Sequence, residues 1–491
     1  MPLPKIVAAS QSALEVQCDA LLAPGFKVGN RIDLPKSVQE VDAALDGALS
    51  EHIAATDFSG KPGSLTLVST GRRLPARSVA LVGMGRKEEL TEWRLRRVCG
   101  AAARKLTTAS TIASILHREV AGGVAATVEG LALGNYRGTD LRSKAPTKST
   151  QTILFLDAER AEVGRAAAVV EAVAVARDLT SEPAMNLPPQ ELAARAQKIA
   201  ADSGLDCEVY EENKLKKLGC GGILGVAAGS SQPPRLIRLH YKPKKARGKV
   251  VLAGKGVTFD AGGLSIKTAA GMEQMKTDKA GAAAVIATMG ALEKLKVSVE
   301  VVALVPAAEN MLGPRALKPG DVITHYGGKT DEVLNTDAEG RLLLADALAM
   351  GSEEKPDALV DIATLTGSMV IALGQGASGY FANDDTLSRE IEGAAAAAGE
   401  RFWRMPLYDE YDKELDSDIA DIRNIGSAAY GKAIHAALFL RRFVGANVPW
   451  AHLDIAGPAR SDSDQNETPK GATGVGTRTL LRWLESRGSG G

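Results

Sequence analysis

The sequence predicts a two-domain α/β protein, with a smaller N-terminal α/β domain and a larger C-terminal α/β/α sandwich around a mostly parallel sheet. Three observations predict this fold class. The chain has 491 residues, which is more than one hydrophobic core usually supports. In its first part, short apolar runs alternate with helical patterns. In its second part, strongly apolar strands are separated by helices, which is typical of a parallel sheet covered on both faces.

The N-terminal domain is predicted over residues 1–165 and is expected to be non-catalytic, with a role in oligomerisation or regulation. A helix is predicted over 90–106, and the apolar runs predicted as strands are 19–26, 64–70, 78–85, 111–117 and 150–159. The turn "GMGRKEE" lacks the full glycine spacing of a phosphate-binding loop, so an ordinary strand-to-helix turn is favoured.

The C-terminal domain is predicted over residues 166–491 and is entered through a long linker helix. Prolines at 183, 188 and 189 end that helix. Strands are then predicted at 249–259, 298–309 and 357–365, and helices at 279–295 and 435–445.

Composition narrows the setting of the protein. Apolar residues make up 45% of the chain and charged residues 24%, as in ordinary soluble globular proteins. Fifty-nine basic and fifty-nine acidic residues cancel, so no global attraction for nucleic acid or anionic membranes is expected. No secretory signal and no membrane-length apolar stretch is recognised. Cytoplasmic location fits the four scattered cysteines, which have neither disulfide nor ligand spacing: Cys18, Cys99, Cys207 and Cys220.

The segment "NTDAEGRLLLADAL" at 335–348 carries acidic and basic residues at every second position before an apolar run. In an extended segment Asp337, Glu339 and Arg341 would project to the same face. The run that follows has the spacing and composition of a buried helix. These charges are therefore predicted to lie at the mouth of a core.

A second segment, "GKGVTFDAGGLSIK" at 254–267, follows an apolar strand and contains Lys255, Asp260 and Lys267 in a glycine-rich turn. Ligands of parallel-sheet proteins bind beyond the carboxyl ends of the strands, so a site is expected here. The lysines could instead merely pair with acids. Asp278 precedes a helix of small residues, and taken alone it is interpreted more readily as a helix cap than as a ligand.

Four carboxylates thus fall at the ends of apolar stretches: Asp260, Asp278, Asp337 and Glu339. If they converged without counter-charge, each pair at about 4 Å would cost about 4 kcal/mol at an effective dielectric of 20. Six pairs reach roughly 25 kcal/mol, beyond a marginal stability of about 5 to 15 kcal/mol. Either the groups are apart or cations lie between them. Two divalent ions would balance the charge, and without histidine or cysteine spacing we expect manganese, magnesium or zinc bound through carboxylates.

Four stretches together closely resemble the leucyl aminopeptidase family, the two-metal cytosolic aminopeptidases: "GKGVTFDAGGLSIK", "MKTDKAGAAAV", "NTDAEGRLLLADAL" and "WAHLDIAGPA". The resemblance spans the second part of the chain, whereas the first domain matches only in size and α/β texture. It implies an enzyme that hydrolyses the N-terminal residue from peptides, leucine preferred with broad acceptance. A water or hydroxide bridging two divalent metals, Mn²⁺ or Zn²⁺, would attack the peptide carbonyl.

The resemblance also implies residue roles. Asp260 and Glu339 would bridge the metals, Asp337 would complete one site, and Lys255 with Asp278 would complete the other. Lysine must be neutral to bind a metal, and a nearby divalent ion favours the neutral amine. The catalytic pair would be Lys267 and Arg341, the latter holding a bicarbonate. The pocket for the substrate's N-terminal side chain would be formed by Met275, Asn335, Thr364, Gly367 and Ala456. A homo-hexamer is likewise implied.

The sequence departs from the family pattern at Lys432 and His435, and His435 is predicted to pack on a helix face. His452 and Asp454 are interpreted as structural groups at a strand end. Two other functions stay open: a secondary DNA-binding or recombination role, suggested by family relatives, and two-metal hydrolysis of phosphoesters. The basic segments at 72–77, 94–97 and 141–150 are the slight support for DNA, although 141–150 is interpreted first as a solvated loop.

Overall fold

A computed structural model describes residues 3–138, 141–143 and 150–489. Most of the predicted basic loop at 141–150 lies outside the described residues. The chain divides into two compact units, Met1–Ala174 with Ser461–Gly471 and Val175–Arg460 with Ala472–Gly491. Both units combine strands and helices, so the predicted two-domain α/β fold class is confirmed.

The first unit is built around a mostly parallel sheet with the order β1-β7-β6-β2-β5-β4 and with β3 paired to β2. Its strands are β1 (Lys5–Ala9), β2 (Ala20–Val28), β3 (Arg31–Asp33), β4 (Leu65–Ser69), β5 (Ser78–Gly85), β6 (Thr111–Ser114) and β7 (Thr152–Leu156). Its helices are α1 (Lys36–Ala44), α2 (Ala48–Ala55), α3 (Glu92–Lys105), α4 (Gly123–Asn135) and the start of α5 (Arg160–Ser181). Each of the five strands predicted from the sequence overlaps an observed strand.

The second unit contains a larger mixed sheet with the order β17-β16-β19-β15-β10-β12-β9-β8 and with β11 paired to β12. The strands after β7 are β8 (Asp206–Tyr210), β9 (Arg235–Tyr241), β10 (Lys249–Gly254), β11 (Gly256–Asp260), β12 (Glu300–Asn310), β13 (Asp321–Thr324), β14 (Thr330–Val333), β15 (Ala358–Ala363), β16 (Ser378–Ala382), β17 (Phe402–Arg404), β18 (Ile422–Arg423), β19 (Trp450–Asp454), β20 (Arg460–Ser461) and β21 (Gly471–Ala472). The helices after α5 are α6 (Pro189–Ser203), α7 (Glu212–Leu218), α8 (Gly221–Ala227), α9 (Ala269–Met272), α10 (Ala280–Leu295), α11 (Gly340–Glu353), α12 (Gly367–Leu373), α13 (Asp385–Ala398), α14 (Lys432–Arg441) and α15 (Thr477–Ser489).

The centre of this sheet consists of four parallel strands, β19, β15, β10 and β12. Every residue of β15 and β19 is buried, as is all of β10 after its first residue. The helices α10 and α11 both pack on these strands, and α10 is buried on nearly all sides. Burial from both faces explains why the strands are apolar throughout instead of alternating.

Two local predictions were wrong. The run 249–259 is not one strand, because it is interrupted at Lys255 between β10 and β11. The segment 337–341 is not extended: Asp337 lies in a turn, and α11 begins at Gly340. The side chains of the NTDAEGR motif therefore meet through a turn and the first turn of a helix instead of through strand alternation.

No helix among the described residues is long and apolar enough to cross a membrane.

A buried histidine joins helix α11 to strand β14. His325 is 1% exposed, and its ring nitrogens lie 3.1 Å from Asp346 Oδ1 and 3.4 Å from Asp331 Oδ2. Burial alone would lower the pKa of His325, but hydrogen bonds with the two carboxylates outweigh it and raise the pKa from 6.5 to about 9. The protonated histidine therefore stabilises the fold.

This raised pKa predicts a loss of stability in alkali. Because the folded-state pKa lies above the ordinary value, the contribution is complete below pH 6.5 and disappears as the pH rises through about 9. The difference is worth about 3 kcal/mol. Urea unfolding midpoints measured between pH 6 and pH 10 should fall across this window, and His325→Gln should flatten the fall. An equal fall in the variant would contradict the assignment.

Candidate metal centre and substrate cavity

The predicted site residues lie at the carboxyl ends of the central parallel strands. Lys255 follows β10, Thr364 follows β15, and Ala456 lies two residues beyond β19. Asn310 is the last residue of β12. This is the edge of a parallel sheet where ligands bind, because loops from neighbouring strands meet there.

Three carboxylates form the centre of the site. One oxygen from each of Asp260, Asp337 and Glu339 lies within 4.8 Å of the others. Asp260 and Glu339 are each 2% exposed. Asp260 ends β11, and its Oδ1 accepts hydrogen bonds from the backbone of Gly262 and from Asn310 Nδ2, both at 2.8 Å. Burial raises the pKa of Asp260, and the charge of Glu339 raises it further.

The fourth carboxylate joins the group through Lys255. The Nζ of Lys255 lies 2.8 Å from Asp278 Oδ1 and 2.8 Å from Glu339 Oε1. Burial would lower the pKa of Lys255, but the charges of Asp278 and Glu339 raise it above the ordinary range. The backbone carbonyl of Thr364 accepts a further hydrogen bond from the same Nζ at 3.1 Å.

A second lysine bridges the other side of the cluster. Lys267 Nζ lies 2.7 Å from Asp260 Oδ2 and 2.5 Å from Asp337 Oδ1. Its pKa would be lowered by burial, but the charges of Asp260 and Glu339 raise it above the ordinary range. Its side chain is 17% exposed, so it reaches both the acids and the cavity.

Gly340 in the NTDAEGR motif allows this close approach. A Cβ at Gly340 would lie 2.7 Å from Lys255 Nζ and 2.6 Å from its Cε. Any side chain there would displace the lysine from Asp278 and Glu339. The glycine therefore serves the geometry of the site.

Arg341 is held in the first turn of α11 and is 6% exposed. Its Nη1 donates to the backbone carbonyl of Asn424 at 2.6 Å. Its Nε is buried without a hydrogen-bond partner among the described residues. Burial lowers the pKa of Arg341 to about 10. The guanidinium remains a cation at neutral pH.

Two asparagines that sequence reasoning missed hold the site loops in place. Asn310 Nδ2 also donates to the carbonyl of Thr336 at 2.9 Å. Asn424 is fully buried; its Oδ1 accepts from the backbone of Leu334 and Asn335, and its Nδ2 donates to Asn335 O at 2.7 Å. The strand-end rule that located Asp260 could have found Asn310. No comparable signal marks Asn424.

A cavity of about 470 Å³ opens over the cluster. It is lined by all seven predicted metal-binding and catalytic residues and by four of the five predicted pocket residues, Met275, Thr364, Gly367 and Ala456. The fifth, Asn335, lies in the supporting loop, where its Oδ1 accepts from the backbone of Asp337 at 2.9 Å. Thr364 Oγ1 also donates to Asp278 Oδ1 at 2.7 Å.

The remaining polar groups noted in the sequence have structural contacts. His435 lies on α14, is 2% exposed, and packs against Tyr411 with its Nε2 3.1 Å from Glu414. Lys432 is the first residue of that helix. His452 Nδ1 lies 2.5 Å from Asp361.

Asp454 holds two loops of the cavity wall in place. Its carboxylate accepts from Thr366 Oγ1 at 2.7 Å and from the backbone of Leu365 and Ala456. These hydrogen bonds fix the position of Ala456 in the cavity wall.

The donor set fits divalent metal ions. Asp278 Oδ2 is buried and accepts no hydrogen bond from the described residues, although buried carboxylate oxygens normally have a partner. The oxygens of Asp260, Asp337 and Glu339 are close enough to share one ion. Carboxylate oxygens suit manganese, magnesium and zinc. In this arrangement Lys255 is an ammonium, and binding a metal requires its neutral amine, which a divalent ion would favour.

Comparison with known families identifies both parts of the chain. Residues 174–481 match the model of the cytosol aminopeptidase family, catalytic domain, and residues 28–145 match the N-terminal domain of the same family. A probable cytosol aminopeptidase of Geotalea uraniireducens is 45% identical over 91% of this chain and 92% of that protein. One from Rhodococcus opacus is 45% identical over 91% of this chain and 90% of that protein.

Solved structures are similar to this chain over nearly its whole length. A tomato leucine aminopeptidase mutant is 34% identical, with a TM-score of 0.87 over 99% of this chain and 97% of its own. The bottromycin maturation enzyme BotP in complex with Mn is 36% identical, with a TM-score of 0.85 over 95% of this chain and 99% of its own.

The fold, the site and these similarities define a peptidase, a hydrolytic enzyme. The chain belongs to the cytosol aminopeptidase family. The resemblance to this family that the four sequence stretches indicate is confirmed.

Proposed function

We propose that the protein is a two-metal aminopeptidase that removes the N-terminal residue from peptides, with leucine preferred and other residues accepted. One observation carries the proposal: four carboxylates, three of them buried, and two lysines line a cavity whose wall also contains the small and apolar residues Met275, Gly367, Val370 and Ala456. Charged ligands for metals and a pocket for a side chain thus lie side by side, as hydrolysis of an N-terminal residue requires.

The ligand roles are assigned by position. Asp260 and Glu339 would hold both ions, Asp337 would complete one site, and Asp278 with Lys255 would complete the other. When bound, the two ions supply Lewis-acid activation of the scissile carbonyl and of the attacking water. Manganese is the metal named with BotP, which supports Mn²⁺ for this chain, and Zn²⁺ is the alternative.

The chain's own cations act on the substrate. Lys267 places its ammonium beside Asp260 and Asp337 and would stabilise the negative charge that develops on the carbonyl oxygen, an effect worth about 3 kcal/mol. Arg341 would hold a bicarbonate, which would supply proton transfer; its buried Nε has no hydrogen-bond partner in the described part of the chain and offers a donor. Met275, Gly367 and Ala456 would receive the substrate's N-terminal side chain, and a leucine-like side chain fits such a wall.

Removing the metals is the experiment that tests the proposal. We expect excess chelator to abolish release of leucine from a leucyl anilide, because the carboxylate cluster has no catalytic function without its ions. Added Mn²⁺ or Zn²⁺ should restore activity. A chromogenic phosphate ester assayed in parallel should remain intact. Undiminished leucine release in excess chelator, or preferential cleavage of the phosphate, would refute the proposal.

We also propose a cytoplasmic homo-hexamer, which rests on the family resemblance. A DNA-binding role gains little support from the described basic clusters at 72–77 and 94–97, because four of their six arginines lie beside acids. Arg73 lies 3.1 Å from Asp46, and Arg77 lies 3.1 Å from Asp19. Arginines engaged in this way contribute less to a phosphate-binding surface.

A further inference from the structure

A cation lies in the part of the cavity wall that the proposed chemistry does not use. Among the described residues lining the cavity, Arg460 is the one charged side chain outside the carboxylate cluster, its two lysines and Arg341. Arg460 is partly buried. The rest of that wall is formed by neutral residues such as Val370 and Gly457.

The backbone that carries Arg460 is fixed. The N–H of Ala459 donates to Ile455 O at 3.0 Å, and Thr473 Oγ1 donates to Pro458 O at 2.6 Å. Thr473 N donates to Ala459 O at 3.0 Å. These hydrogen bonds hold the segment that connects Ala456 to Arg460.

A second polar residue lies on a neighbouring segment of the cavity wall. Gln375 follows α12, the helix that begins at the pocket residue Gly367, and it also lines the cavity. The two segments touch, since a Cβ at Gly457 would lie 2.3 Å from the carbonyl oxygen of Gly374. Arg460 and Gln375 thus belong to the two segments that also carry Ala456 and Gly367.

We propose that Arg460, assisted by Gln375, gives the side-chain pocket affinity for N-terminal residues that end in a carboxylate, glutamate foremost. The inference rests on the proposed aminopeptidase function. A guanidinium forms paired, charge-assisted hydrogen bonds with a carboxylate, and an amide such as Gln375 can donate another. Both residues lie on the chain segments that also carry Ala456 and Gly367, so in this proposal they would meet the first residue of the peptide.

Glutamate and glutamine provide a matched pair of substrates. They have nearly the same shape and differ in charge, so the ratio of kcat/KM for glutamyl and glutaminyl anilides isolates the electrostatic contribution of the pocket. Without a cation in the wall, the nearby acids would disfavour glutamate. We expect the wild-type ratio to exceed one and to fall by about tenfold or more in Arg460→Met, the effect of losing one hydrogen-bonded charge pair.

Arg401→Met is the matched control. Arg401 is exposed and lies outside the cavity, but its carbonyl accepts from Ser378 close to the Gln375 loop. Arg401→Met removes the same charge, but from a side chain that does not line the cavity. It should therefore leave the ratio unchanged. Arg460→Lys keeps the charge and should retain more of the preference than Arg460→Met.

The possible results separate the two claims. Two results would overturn the role of Arg460 and leave the aminopeptidase proposal intact. The first is a wild-type enzyme that releases leucine but has a glutamyl-to-glutaminyl ratio below one. The second is a ratio that Arg460→Met leaves unchanged. A metal-loaded wild-type enzyme that releases no residue from leucyl, glutamyl or glutaminyl anilide overturns both. If Arg460→Met fails to fold, Arg460→Lys takes its place, and a wild-type ratio below one still overturns the proposal without any variant.

Discussion

Replacing Glu339 with glutamine is expected to lower kcat/KM for leucine release by at least about a hundredfold. Glu339 is 2% exposed, and its Oε1 lies 2.8 Å from Lys255 Nζ. One of its oxygens also lies within 4.8 Å of an oxygen of Asp260 and of Asp337. The amide has nearly the same size but lacks the negative charge that two adjacent cations would share, so both metal affinity and activity should fall.

Two measurements on the same preparation distinguish this effect from misfolding. Manganese bound per chain after equilibrium dialysis should fall together with activity, while the metal-free protein keeps a single cooperative urea transition. Glu353→Gln is the matched control, since Glu353 is the last residue of α11 and its carboxylate accepts from the Tyr326 hydroxyl in an exposed contact. Full manganese binding in Glu339→Gln would contradict the bridging role.

The sequence predicted that these charged residues gather at one edge of the sheet because two simple rules apply there. Strands buried on both faces must be apolar, so β10, β12 and β15 are visible as apolar runs. Ligands gather where parallel strands end, so charged residues directly after those runs, such as Lys255 and Asp260, are marked by position alone. Neither rule depends on the distant parts of the chain.

The local path of the NTDAEGR motif could not be predicted in the same way. Alternating charges suggested a strand, but the backbone turns at Asp337 and enters α11 at Gly340. Tertiary contacts hold that path. Asn424, which is about ninety residues further along the chain, accepts hydrogen bonds from the backbone N–H groups of Leu334 and Asn335 and donates one to the carbonyl of Asn335. Hydrogen bonds over such separations leave no periodic pattern in the sequence.

The pairing of buried polar residues is the other feature that could not be predicted from the sequence. His325, Asp331 and Asp346 occupy positions that periodicity assigns to core or loop, yet they form one hydrogen-bonded group. Burying a charge is tolerated only when it is paired, so each member of such a group depends on the others. Composition and spacing cannot show which acid meets which histidine.

This dependence predicts a large loss of stability in Asp346→Ala. Asp346 is fully buried and accepts three hydrogen bonds, from the backbone of Ile223 and Tyr326, both at 2.9 Å, and from His325 at 3.1 Å. Removing the carboxylate leaves one buried and one partly buried N–H group without acceptors and reduces the charge around the protonated His325. Breaking a buried pair in this way costs about 3 to 5 kcal/mol.

Urea unfolding of the full chain at pH 7 measures this loss, and Glu353→Ala on the same helix is the surface control, with an expected cost under about 1 kcal/mol. Asp346→Asn should lie between the two variants, because the amide oxygen can still accept some of the three hydrogen bonds but no longer carries charge. If Asp346→Ala were as stable as Glu353→Ala, the group would contribute only packing. The pH dependence assigned to His325 would then also need another origin, because its raised pKa depends on the same carboxylate.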